Sequence, residues 1–580
     1  MKIKFILLLI NTLLLFLQCE IIAQNKINHA LLYGFVESNE SDLIKLNGNA
    51  HSISKNGTFE FEAELELPDF YSLEYKNFKI DLFISPGDSL HINFDGRDVL
   101  QSIIITGNNS KLNTLLLNQT KLRDKTDKYL NENRIKYFTS ESSYFISKID
   151  SIKLYYLTNF YDFMKHQTNV NEWFQKKYKA EIVYSFDRIK LLYPGSFNRN
   201  TDKVFSDDSD FYNKITKNAF TDPELLRSQT FLNFLNKYLD IKAAGKYKFM
   251  DFYQYPVNIK GVSRYQAIID LNAHPDIKDF LLYQQLKNYL NDYGTRGLEN
   301  MLTNFKNDCK NETQKNEVLQ LYNQILKQRQ SSSEIKIFRK IGDIDLEAHI
   351  FYPEAFNKSD HRPCYIFFHG GSWRTGMPEW GYESCKRYAS KGMVSISFEY
   401  RSIDLNGIEI PDCIADAKYA VYWIRKYATE LGIDTGKIVA DGFSSGGHLV
   451  ACTAILPDYH DHESDKTISC KPNAIILESA VYSTKEYNNV ITGGNGESIS
   501  PLYQLKNKLV PTLMFHGKED TMVPYKDFES FVEKMEKLHN KFSYKSFEGA
   551  GHFYYTNPEY GAIAIEMIDD FLISLNYIKR

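Results

Sequence analysis

The chain has 580 residues, more than a single compact domain usually holds. Hydrophobic residues make up 43% and charged residues 24%, the balance of an ordinary globular protein. A net charge of −4 gives no electrostatic ground for a nucleic-acid partner.

Met1-Lys2-Ile3-Lys4 precedes an apolar run from Phe5 to Leu17 that only Asn11 and Thr12 interrupt. Lysines ahead of a short apolar stretch describe a secretory signal, too short for a membrane span. Residues 1–23 are read as the signal, with cleavage after Ala23. The alternative is lipid attachment at Cys19, but Gln18 stands where a small residue is expected. An exported protein is expected, in the periplasm or at the cell surface, with no transmembrane span once the signal is removed. Of the 7 cysteines, none forms a C-x-x-C pair, which argues against zinc and redox motifs. Disulfides and buried free thiols both remain open. The 40 Tyr and 39 Phe are read as core filling ahead of sugar-stacking surfaces.

Residues 24–110 read as an all-β sandwich. Thr58 to Leu67 alternates polar and apolar residues, with an Asn56-Gly57 turn ahead of it. Lys79–Ile84, Leu90–Phe94 and Ile103–Ile105 continue the strands. The words Phe83-Ile84-Ser85-Pro86-Gly87-Asp88-Ser89-Leu90, Ile105-Thr106-Gly107 and Asn113 resemble the N-terminal β domain of exported thioredoxin-like oxidoreductases of Bacteroidetes-type bacteria. The chain lacks their C-x-x-C, so redox activity is not implied. Residues 111–327 carry helical spacing, as in Leu112, Leu115 and Leu116 or Val318, Leu319, Tyr322 and Ile325, and no internal repeat. Gln328 to Glu334 is polar and reads as a linker.

Residues 335–580 alternate strands and helices. Strands are expected at Ile335–Ile341, Leu346–Tyr352, Cys364–Phe368, Val394–Phe398, Ile438–Ala440, Ala474–Leu477, Leu509–Phe515 and Phe542–Phe547. Helices are expected at Ile414–Leu431, after Gly447, at Phe528–Leu538 and at Ala562–Leu575. This predicts a mostly parallel sheet with helices on both faces.

Gly442-Phe443-Ser444-Ser445-Gly446-Gly447 follows the strand at Ile438 and has the form of a nucleophile elbow. A serine hydroxyl needs a base, and the base needs an orienting carboxylate. On such sheets the chain order is Ser, Asp or Glu, then His. Asp520, with Glu519 beside it, sits in the turn after a strand, and His552 lies in a Gly-flanked loop after the next. Phe368-His369-Gly370-Gly371-Ser372-Trp373 ends a buried strand ahead of the elbow. His460-Asp461-His462-Glu463 lacks helical pairing and a fourth ligand, so it reads as a solvated loop; no metal and no cofactor is implied.

Together these motifs resemble α/β-hydrolases, and among them the hormone-sensitive-lipase-like and bacterial carbohydrate-esterase group. The resemblance implies Ser444 as nucleophile, His552 as base, Asp520 as orienter, and an oxyanion hole from the N–H groups of Gly370, Gly371 and Ser445. Ser372 stands where many members have a third glycine. Trp373, Trp380 and Tyr382 are candidate walls for the substrate pocket. An exported serine carboxylesterase is expected, acting on a small-molecule or carbohydrate ester. The alternatives are a serine peptidase of the prolyl-oligopeptidase type and a non-catalytic binding protein.

Overall fold

The computed structural model describes residues 29–201, 203–205, 209–245, 259–457, 465–487, 489–506 and 508–580. The signal-like start with Cys19, and the His460–Glu463 cluster, lie outside the described residues. The chain divides between Lys237 and Tyr238 into two compact units. That point falls inside the helix Gln229–Gly245, so the helical stretch expected at 111–327 contributes to both units.

In the first unit eight strands form two four-stranded sheets. They are β1 (His29–Glu37), β2 (Leu43–Leu46), β3 (Asn49–Ser52), β4 (Thr58–Glu64), β5 (Asp69–Tyr75), β6 (Phe78–Ile84), β7 (Ser89–Asp95) and β8 (Ile104–Gly107). The sheet orders are β4-β1-β7-β8 and β3-β2-β5-β6. The alternation seen in β4 points Phe59, Phe61 and Ala63 inward, where they meet Leu32, Leu73, Ile80 and Ile92 in one core. Asn113, in the helix Ser110–Glu132, is fully buried. Its side chain accepts from the Phe83 N–H at 2.7 Å and donates to the Phe83 carbonyl at 3.0 Å, satisfying strand-edge groups that burial would otherwise orphan. Aromatic residues fill the helical part: Phe160 stacks on Tyr178 at 4.7 Å, and Phe145 on Tyr193 at 4.7 Å.

The second unit holds the helices Pro275–Tyr293, Glu299–Asp308 and Glu312–Arg329, then an eight-stranded sheet. Its strands are β9 (Glu334–Ile341), β10 (Ile344–Phe351), β11 (Arg362–Phe368), β12 (Val394–Phe398), β13 (Ile433–Phe443), β14 (Ala474–Glu478), β15 (Thr512–Gly517) and β16 (Phe542–Phe547). The order is β9-β10-β12-β11-β13-β14-β15-β16. The β9–β10 and β10–β12 pairs are antiparallel, and every other pair is parallel. Tyr365, Phe367, Val439, Ile476 and Phe515 pack on one face, and Ile366, Phe368, Ala440, Leu477 and Met514 on the other. Both faces are covered, which is why these strands read as continuous apolar runs.

Several bounds differ from the sequence reading. The elbow strand is eleven residues long, and the helix after it starts at Ser445, so Gly446 and Gly447 lie inside its first turn. Close packing outweighs the poor helix propensity of glycine there. The helix expected at Ile414–Leu431 is Ile410–Lys426 followed by a single turn, Ala428–Leu431, which Gly432 ends with φ +63°. Residues 328–334 are not a free tether. The Gln328 amide donates to the Glu379 carbonyl at 3.0 Å, Arg329 to the Glu347 carboxylate at 2.7 Å, and the Ser333 N–H to the Ile350 carbonyl at 2.8 Å. All six cysteines among the described residues are buried free thiols. Among the described residues no helix is long and apolar enough to cross a membrane.

Candidate active site

The site begins with how β13 turns into its helix. A β-carbon on Gly446 would sit 2.0 Å from the Phe368 carbonyl oxygen, and one on Gly442 would sit 2.5 Å from Gly446. Only glycine lets the strand, the helix and the end of β11 approach this closely. The turn puts Ser444 at φ 56° and ψ −119°, a conformation that side-chain-bearing residues rarely adopt. It is held from both sides. The Ser444 N–H donates to the Glu478 carbonyl at 2.8 Å, and the His448 N–H donates to the Ser444 carbonyl at 3.1 Å.

The structure brings the three expected residues together. His552 Nε2 lies 3.0 Å from Ser444 Oγ, and His552 Nδ1 lies 2.7 Å from Asp520 Oδ2. Asp520 is buried while Glu519 is exposed, so Asp520 is the acid of the pair that faces the histidine. The other oxygen of Asp520 accepts the Met522 and Val523 N–H groups, both at 2.8 Å. His516 Nε2 stands 3.3 Å from Oδ2, a contact the sequence reading missed although His516 precedes Asp520 by one helical spacing. Burial alone would raise the Asp520 carboxyl, but hydrogen bonds from His516, His552 and the Val523 N–H outweigh it and hold the group well below the usual carboxylate range. The His552 loop is anchored by Ser479, whose hydroxyl donates to the His552 carbonyl at 2.9 Å.

Gly370 lies against the serine: a β-carbon on it would come within 3.3 Å of Ser444 Cβ. Neither Gly370 nor Gly371 donates its N–H to a partner among the described residues. The Ser445 N–H is the first of its helix and has no intrahelical acceptor. His369 stacks on Tyr400 at 4.3 Å, and burial pushes its imidazole down to about 3, so it is neutral. The Tyr400 hydroxyl donates to the His369 carbonyl at 2.9 Å and reaches the Gly370 carbonyl at 3.2 Å. Farther along the loop, the Gly376 N–H donates to the Asp292 carbonyl at 2.7 Å, so the end of the helix Pro275–Tyr293 braces it. Tyr400→Phe removes both hydroxyl contacts. It is expected to lower unfolding free energy by about 1 kcal/mol, measured by urea denaturation, and to reduce kcat more than it changes KM.

The candidate pocket walls separate. Trp373 is 1% exposed and packs edge-on against His448 and Tyr487, at 5.1 Å and 5.6 Å. Tyr382 is fully buried, with its hydroxyl hydrogen-bonded to His349 Nδ1. It is a core residue and not a pocket wall, because its position on the helix Tyr382–Ser390 points it into the sheet. Trp380 is 44% exposed beside His369. Next to Tyr400, buried Arg401 grips Asp416 through Nε at 2.8 Å and Nη2 at 3.0 Å.

Two acids, the buried Asp441 and the half-buried Glu478, lie beneath the elbow. Asp441 on β13 and Glu478 on β14 are close enough for the charge of one to act on the other. Asp441 accepts from the Tyr365 hydroxyl at 2.7 Å, and Glu478 from the Tyr554 hydroxyl. Burial, reinforced by the neighbouring Glu478 charge, pushes Asp441 well above its ordinary value, and burial raises Glu478. Acids raised in this way hold protons that the unfolded chain has released. Their stabilising effect is therefore complete below the ordinary carboxylate range, near pH 4, and is lost as pH rises through the folded values. Tm is expected to fall as pH rises above the ordinary carboxylate range, and Asp441→Asn, which has no proton to lose, should make that decline shallower in a calorimetric pH series.

Comparisons with known proteins agree with this geometry. Residues 349–490 match the family model described as BD-FAE. A probable isoprenylcysteine alpha-carbonyl methylesterase of Arabidopsis thaliana is 24% identical, covering 37% of this chain and 50% of that protein. Esterase LipC of Mycobacterium tuberculosis is 25% identical, covering 33% and 52%. This chain thus spans about half the length of these curated relatives. Among solved structures, the esterase Est2 of the Planctomycetes species Thermogutta terrifontis is 33% identical, covering 43% of this chain and 94% of its own, with a TM-score of 0.41. The sheet order and the glycine-bound elbow give the C-terminal part the α/β-hydrolase fold, and residues 349–490 are similar to the BD-FAE family.

Proposed function

We propose that this chain is a serine hydrolase that cleaves carboxylic esters through an acyl-enzyme. The observation that carries the reading is the unbroken line from Ser444 Oγ through the imidazole of His552 to Asp520, at 3.0 Å and 2.7 Å. Ser444 Oγ attacks the ester carbonyl carbon, and His552 Nε2 takes its proton. The carbonyl oxygen becomes an oxyanion facing the N–H groups of Gly370, Gly371 and Ser445. The protonated His552 then passes the proton to the departing alcohol, leaving an ester on Ser444. Water, deprotonated by His552, attacks that ester and releases the acid. Asp520 keeps the proton on Nδ1, so that Nε2 is free to accept.

Small acyl groups carried on carbohydrate are the substrate class we favour. The signal-like start and the resemblance of the β region to domains of exported proteins support action in the periplasm or at the cell surface. Solved forms of Est2 are described as phosphorylated by paraoxon and phosphonylated by sarin, and the same trapping is available here. The test is intact-mass analysis after paraoxon treatment, beside rates on p-nitrophenyl acetate, longer p-nitrophenyl esters and peptide anilides. The expected result is one phosphoryl adduct, absent from Ser444→Ala, and turnover of the short esters. Faster anilide cleavage would replace this reading with a peptidase. A folded parent protein that takes neither adduct nor substrate would leave a binding protein.

A further inference from the structure

Three aromatic side chains extend outward from the catalytic histidine, and the mechanism above uses none of them. Phe443, the residue before the serine, has its ring 5.0 Å from the His552 ring. Phe553, the residue after the histidine, stacks on Phe443 at 5.6 Å with 21° between the planes. Tyr555 meets Phe443 edge-on at 5.3 Å. Phe553 is 48% exposed and Tyr555 46%. Neighbouring large rings left nearly half in water stabilise the fold little, and such clusters mark binding surfaces.

Their position decides which half of an ester they meet. His552 must hand its proton to the oxygen of the leaving alcohol, so the alcohol lies on the histidine side of Ser444. The rings flank that side: Phe443 and Phe553 border the imidazole itself, at 5.0 Å and 5.1 Å. Gly370 also lies against Phe443, since a β-carbon there would be 3.1 Å from its Cδ1. Flat apolar faces bind flat partners: another aromatic ring, or the C–H face of a pyranose.

We propose that Phe443, Phe553 and Tyr555 form an alcohol-side subsite that takes the flat face of a ring carried by the leaving group, a pyranose or an aryl ring. This rests on the ester-hydrolase reading and adds to it which half of the substrate is selected.

The test compares esters that move the ring without changing the chemistry. The full chain and its Phe553→Ala, Tyr555→Ala and Phe553→Trp variants are assayed on ethyl acetate, benzyl acetate, methyl 2-O-acetyl-xyloside and ethyl phenylacetate. The ratio of kcat/KM for benzyl acetate or the acetylated xyloside over ethyl acetate is expected to fall about five- to tenfold in the alanine variants. It should be restored in Phe553→Trp. The larger of the two falls tells an aryl partner from a pyranose. The ratio of ethyl phenylacetate, whose ring is on the acyl side, over ethyl acetate should stay constant. Unchanged ratios for both ring alcohols, or a fall confined to the acyl-side ring, would overturn the subsite while leaving the hydrolase intact. No turnover of any ester by the parent chain would instead remove the hydrolase reading, and the subsite with it.

Discussion

Ser444→Ala is expected to reduce ester turnover by about 10⁶-fold, the scale seen when the nucleophile of a serine triad is removed. The loss should appear in kcat, because the surfaces that hold the substrate remain. Folding should be nearly unaffected. Ser444 is held through its backbone, by its N–H on the Glu478 carbonyl and its carbonyl on the His448 N–H, and alanine keeps both bonds. Alanine also inherits the left-handed turn at no greater cost than serine. Rates on a short p-nitrophenyl ester, with thermal unfolding of the same samples, check both halves. A variant that keeps more than about one per cent of parent activity at equal stability would move the nucleophile elsewhere.

Asp520→Asn is expected to cost about 10⁴-fold in kcat. The amide keeps one oxygen for the Met522 and Val523 N–H groups, which Asp520 now receives at 2.8 Å each, so the turn should persist. The loss is in the other arm. An amide NH2 facing His552 Nδ1 favours the imidazole with its proton on Nε2, which can no longer take a proton from Ser444. Stability should also lose part of its acid dependence. The depressed carboxyl of Asp520 stabilises the fold fully above the ordinary carboxylate range, near pH 4, and that contribution disappears as pH falls toward its folded value. The amide of the variant cannot titrate, so its difference from the parent should shrink in acid denaturation below about pH 4. Glu519→Gln, an exposed change, serves as the control.

Much of the catalytic unit was readable because its physics is local. A strand covered on both faces must be apolar throughout, and β11, β12 and β14 read that way from residue order alone. The elbow was readable because Gly442 and Gly446 are sterically compelled by backbone on the far side of the turn. The order of serine, acid and histidine followed from where strands end. The strands read at Ile335–Ile341 and Leu346–Tyr352 form the antiparallel start of the sheet. The polar run at 328–334 misled, because polarity also suits residues that ion-pair across a packed surface, as Arg329 does with Glu347.

The amino-acid order by itself determined the strand-helix alternation, the glycine-bound serine turn, and the loops in which an acid and a histidine had to be sought. Tertiary structure alone decided which of two adjacent acids turns toward His552, why Tyr382 is lost to the core, and that Tyr400 and Asp292 hold the Gly370 loop. It also revealed the ring cluster beside the histidine and the acid pair under the elbow. The physical reason is distance along the chain: His552 meets Ser444 across 108 residues and Asp520 across 32. Spacing in sequence tells which residues stand at the ends of strands. The direction a side chain takes from a turn depends on what packs behind it, and that packing comes from other strands.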